Sequence, residues 1–111
     1  MLRGAGIVLL LLALTRGVFA EPAALNDQQR LGQQLLTQFC GVCHLKPQIT
    51  AATFGPALSR ESAGGRDDAL REVIMNGTPR MPAFKLNFEP AQVDAIIAYL
   101  KTVPAPQPAP R

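Results

Sequence analysis

One histidine and two cysteines are all that this 111-residue chain offers of the residues that most often ligate metals or cross-link chains. They fall within five consecutive positions, Cys40-Gly41-Val42-Cys43-His44. This scarcity weighs against several chemistries. A structural zinc site takes four Cys or His ligands and is one short here. A disulfide between Cys40 and Cys43 would close so small a loop that little chain entropy is removed. No stretch alternates apolar and polar residues with period two, so no strand is visible to hold a thioredoxin-like pair in a strand-to-helix turn. Clustered Lys and Arg are missing as well, which leaves a nucleic-acid partner without support.

Long apolar runs are limited to "GIVLLLLAL", Gly6 to Leu14, behind a short positive start and ahead of "VFA", Val18 to Ala20. That pattern predicts a secretory leader over residues 1–20, cut after Ala20, and hence a periplasmic protein. The run falls short of the roughly 20 residues a spanning helix needs, so no stable membrane insertion is expected once the leader is gone. Of eleven basic side chains the leader takes Arg3 and Arg16, leaving nine against eight acidic ones, so the working protein is far less basic than the whole-chain +3 implies. At the other end "PAPQPAPR", residues 104–111, has four prolines and no core-forming residue. It reads as a flexible, polyproline-like tail. A single domain over residues 21–103 remains, small enough that apolar burial alone is marginal and a cofactor or cross-link is needed.

Within that domain the spacing predicts three main helices and an all-α fold. Asn26 with Gln29 forms a capping-box pattern, and Leu31, Leu35 and Phe39 recur at i, i+4, i+8, giving a helix from about Asp27 to Cys40. Gly32 inside it costs about 1 kcal/mol relative to alanine, which suggests a close backbone approach. Asp67 and Asp68 open a second helix with the apolar stripe Leu70, Val73, Ile74, and Gly77 is placed to stop it. The last runs from about Pro90 to Thr102, with Val93, Ile96, Ile97 and Leu100 at i, i+3, i+4, i+7. Residues Leu45 to Gly65 and Thr78 to Phe88 read as loops punctuated by Pro and Gly.

C-x-x-C-H is the attachment signature of c-type haem. At the end of a helix two sulfurs three positions apart face one side and can bond the two vinyl-derived carbons along one porphyrin edge. His44, directly after, is carried under the ring, where a nitrogen can reach the iron. The chain therefore resembles the small mono-haem class I cytochromes c of bacteria, and "FCGVCH", "FGPAL", "IMNGTPRMPAF" and "VDAIIAYLK" occur in the order such proteins show. The resemblance covers about Leu31 to Leu100 and implies a cytochrome c fold with one covalent haem c.

With one histidine, a second imidazole on the iron is excluded within the chain. Two methionines lie beyond the leader: Met75, near a helix end and just off its apolar stripe, reads as a packing residue. Met81 stands in a loop between Pro79 and Pro82, where a stiffened backbone can aim a thioether; an ordinary hydrophobic plug is the alternative. The resemblance points to the same residue, so His44 and Met81 are the expected axial ligands. It also implies that the Pro56 carbonyl accepts a hydrogen bond from the far nitrogen of the histidine, a plain turn proline being the alternative, and that a small residue such as Gly32 lets the first helix cross the last, near Phe39, Ile97 and Tyr99. Arg60, Arg66, Arg80 and Lys85 are candidates to pair with haem propionates.

A saturated iron implies a one-electron carrier, not an enzyme, exchanging electrons with periplasmic or membrane redox proteins. A cytochrome subunit held permanently by a dehydrogenase or oxidase is the first alternative. A gas sensor with a detachable Met81 is the second. Ligand-binding four-helix haem proteins carry their C-x-x-C-H near the C-terminus, whereas here it lies early in the domain.

Overall fold

Asn26 opens the first helix by accepting the Gln29 amide at 2.8 Å, while its own amide donates to the Gln29 side chain at 3.0 Å. Two otherwise orphaned amides are thereby satisfied, and α1 runs over Asp27–Leu35. The computed structural model describes residues 23–45 and 53–107; the predicted leader, residues 46–52 and residues 108–111 of the Pro-rich tail lie outside them.

The helix does not stop where the spacing placed its end. Leu36–Cys40 is a π segment and α2, Gly41–His44, continues it. A π turn takes up more residues than an α turn, so the apolar face is re-registered. Leu36, outside the expected stripe, is 4% exposed, whereas Leu31 and Phe39, on it, are each 41% exposed. Phe39 still packs edge-on against Phe88, with ring centres 5.0 Å apart.

After a 3₁₀ turn at Ser62–Gly65, α3 spans Asp67–Asn76 and α4 spans Pro90–Leu100. Asp67 and Asp68 sit in the first turn of α3, where acidic groups offset the positive end of the helix dipole. Gly77 ends it at φ 70°, its amide donating to the Val73 carbonyl at 2.9 Å. At α4 the Glu89 amide donates to the Gln92 side chain at 2.8 Å. Among the described residues there is no strand, and the fold is all-α, built on three main helices.

The core lies where α4 meets the other two. Val93, Ile96, Ile97 and Leu100 are all buried, joined by Leu35 and Leu36 from the first helix and Leu70 and Ile74 from α3. Burying each such side chain is worth about 1.5–3 kcal/mol. The close approach expected at Gly32 is made to the α4 backbone at Ala95 and Ile96. Tyr99 instead takes part through its hydroxyl, which accepts from the Gln33 side chain at 3.4 Å. Arg71 of α3 pairs with Asp94 of α4, and Lys101 pairs with Asp67 at 2.5 Å. Half-exposed pairs of this kind add at most about 1 kcal/mol each. No helix among the described residues is long and apolar enough to cross a membrane.

Candidate haem site

The helix that begins at Asn26 delivers its last turn to the edge of a cavity of about 640 Å³, within the range of pockets that take a cofactor. Cys40, Cys43 and His44 line it from this side. Cys40 is buried and Cys43 half-buried, and both thiols are free. Burial, and then the neighbouring Cys43, push the Cys40 thiol above its ordinary pKa, as a desolvated thiolate requires.

His44 is held from beneath by a short turn. Its Nδ1 lies 2.7 Å from the Pro56 carbonyl oxygen. A carbonyl only accepts, so Nδ1 carries a proton, and in the neutral imidazole this is the tautomer that leaves the Nε2 lone pair available. The turn is tied back to the helix and braced within itself: the Gly55 amide donates to the Cys43 carbonyl at 2.7 Å, and the Thr53 hydroxyl donates to the Gly55 carbonyl at 2.6 Å. Gly55 is packed so tightly that a Cβ there would stand 2.6 Å from the imidazole Cε1 and 2.7 Å from Nδ1. Only a residue without a side chain lets the loop lie flat against the ring.

A second turn supplies Met81. Thr78 and Met81 exchange backbone hydrogen bonds of 2.9 and 3.2 Å, and the reversal is packed back on the end of α3. A Cβ on Gly77 would come within 2.5 Å of the Met81 carbonyl oxygen, so glycine is needed there for space as well as for its positive φ. Met81 is half-buried and lines the cavity; Met75, also half-buried, packs against the core and does not line it.

The remaining wall is mostly apolar, from Phe54, Leu58, Val73, Phe84 and Ile96 among others, with Ser59, Glu61, Ser62 and Thr78 as polar members. Phe84 and Phe88 stack at 5.5 Å behind it. Of the basic residues singled out from the sequence, Arg80 lines the cavity, whereas Arg66 is engaged by Asp68. Pro106 lines it too, brought there after the Val103 carbonyl accepts the Arg60 amide at 2.9 Å. Neither Pro106 nor the position of Arg80 over the Phe54 ring, 5.2 Å from its centre, was signalled by spacing or period, because both depend on chain segments far apart in sequence.

The residues fit a c-type haem. Two unpaired thiols, an imidazole with a free Nε2 lone pair and a thioether all border one large apolar cavity, which is the donor set that thioether attachment and two axial bonds would use.

Comparison with known proteins agrees. Residues 27–100 match the family of cytochrome c oxidase, cbb3-type, subunit III. The cytochrome c subunit of 4-cresol dehydrogenase (hydroxylating) from Pseudomonas putida is 31% identical over 94 residues, covering 84% of this chain and 78% of that protein. Dihydro-haem d1 dehydrogenase from Pseudomonas aeruginosa is 35% identical over 80 residues, 69% of this chain but 16% of that protein. The solved structure of dihydro-haem d1 dehydrogenase NirN in complex with DHE superposes with a TM-score of 0.57 at 33% identity, covering 71% of this chain and 17% of that one. The chain thus spans about a sixth of the dihydro-haem d1 dehydrogenases it matches.

Proposed function

The chain belongs to the cbb3-type subunit III family of c-type cytochromes and carries electrons on haem c; we propose that His44 and Met81 are the two axial ligands of its iron. The observation that carries this reading is the convergence of Cys40, Cys43, His44 and Met81 on one cavity that Met75 does not reach. Bound haem c supplies a one-electron iron couple. Cys40 and Cys43 hold the group covalently, and the Pro56 carbonyl fixes the tautomer and tilt of His44 while raising its basicity. The turn at Thr78–Met81 presents the thioether, a soft ligand that favours the reduced iron relative to a second imidazole. The mostly apolar wall would limit the water around the bound group.

With both axial positions filled by the chain, no position is left for a substrate, so the protein acts as a carrier and not as a catalyst. The working domain is residues 21–103, exported to the periplasm by the leader at 1–20, with residues 104–111 as its Pro-rich tail. Haem propionates add about two negative charges to a formal +1, so docking to redox proteins relies on an apolar rim more than on a strong charge field.

The test is spectroscopic. The ferric holoprotein is expected to show the weak near-infrared thioether-to-iron charge-transfer band, and Met81→Ala to abolish it. A wild type without the band, or with rapid carbon monoxide binding to the ferrous form, overturns the ligand assignment and favours the sensor reading.

One observation favours a second reading. A relative covered over 78% of its length is named as the cytochrome c subunit of a dehydrogenase. By that analogy this chain is the electron-accepting subunit of a dehydrogenase. Size-exclusion of the native protein separates the two: a stable large complex supports the subunit, and elution at about 10 kDa supports the free carrier.

A further inference from the structure

Each turn that carries an axial ligand or its support is closed by hydrogen bonds within itself. The turn at Thr53–Pro56 is tied to Cys43 and His44, and the turn at Thr78–Met81 to the end of α3. Among the described residues no hydrogen bond joins one turn to the other. The direct link is a side-chain contact: the Arg80 guanidinium carbon stands 5.2 Å from the centre of the Phe54 ring, inside the range of a cation–π contact.

Both side chains line the cavity and both are exposed, so the contact lies at its open side. Phe54 is 65% exposed, and the guanidinium stands over its ring. Among the described residues Arg80 takes part in none of the ion pairs. Its backbone is committed, with the Arg80 amide donating to the Thr78 hydroxyl at 3.3 Å. Arg80 and Met81 are consecutive in one tight reversal, so a swing that carries the thioether outward also pulls the guanidinium off the ring.

We propose that Arg80 and Phe54 are a positioning pair, a latch across the cavity mouth that couples the turn supporting His44 to the turn presenting Met81 and so holds the thioether on the iron. The inference rests on Met81 being a ligand. Neither residue touches the reacting atoms; both act through the loop.

Free imidazole is the probe, since it competes with a thioether for ferric iron. Titrating ferric holoprotein with imidazole while following the near-infrared band gives an apparent dissociation constant for displacement of Met81. Arg80→Gln and Phe54→Leu are each expected to tighten imidazole binding by about two- to fivefold, the factor a surface cation–π contact represents. The double variant is expected to do no more than either single one, because both remove the same contact. Phe54→Tyr keeps the ring face and is expected to retain wild-type affinity. Both side chains are exposed, so none of these changes opens the core.

If Arg80→Gln tightens imidazole and Phe54→Leu does not, or if the two effects multiply, Arg80 acts through its charge and the latch is overturned. Unchanged affinity in all variants, with the band present, overturns the latch alone. Absence of the band in the wild type overturns the ligand assignment and the latch together.

Discussion

Gly32 of α1 lies directly against the carbonyl of Ala95 in α4. A Cβ at residue 32 would overlap that oxygen and stand 2.9 Å from the Ile96 amide nitrogen. Both neighbours are backbone inside a helix and neither can yield. Gly32→Ala gains about 1 kcal/mol of helix propensity but forces α1 from α4, with an overpacking penalty of about 1–3 kcal/mol or more. A net loss of stability is expected, read as a lower denaturation midpoint; an unchanged or higher midpoint would refute the contact.

Gly55→Ala puts a methyl group into the His44 ring. The imidazole must turn away, lengthening its bond to the Pro56 carbonyl. With His44 as the proposed iron ligand, loss of that bond would make the imidazole a poorer donor to ferric iron, so the reduction potential is expected to rise, by about 59 mV for each tenfold change in relative stabilisation. Voltammetry of the holoprotein checks this, and a fall in potential would contradict it.

Met75 is packed against the core beside Ile74 without lining the cavity. Met75→Leu is close to volume-conserving and is expected to cost under about 1.5 kcal/mol. The near-infrared band should survive it. A variant that loses the band would transfer the ligand role from Met81 to Met75.

Hydrogen bonding from Arg66 holds the Asp68 carboxyl below its ordinary pKa. A depressed folded pKa means that the stabilisation is complete above the unfolded value, about 3.9, and fades as pH falls through the folded one. Wild type is therefore expected to exceed Asp68→Asn in stability at pH 7 and to match it near pH 2. The difference should also shrink with added salt, because the pair is fully solvent-exposed. Unfolding midpoints at the two pH values decide; a gap that widens in acid contradicts the pairing.

Local patterns foretold most of the helices because they are local in origin. The Asn26 box, the two acidic residues that open α3, the stop at Gly77 and the stripe on α4 each involve positions within four of one another. The π segment at Leu36–Cys40 has no such signature. It leaves Leu36 and Cys40 both buried in the core cluster, a tertiary arrangement that no local pattern announces. The cysteines and histidine announced themselves by composition. The supports around them did not: Gly55 meets His44 across eleven positions, and Phe54 meets Arg80 across twenty-six. Period and composition do not encode such distances; only the folded loops bring the partners together.

The cavity wall begins at Leu36 and ends at Pro106, so no fragment of the nascent chain presents all of it. Cys40, Cys43 and His44 occupy one contiguous turn and leave the ribosome together, well ahead of Met81 and Pro106. With Cys40 and Cys43 as the proposed attachment points, the anchoring turn is therefore complete in sequence before the residues that close the cavity around it.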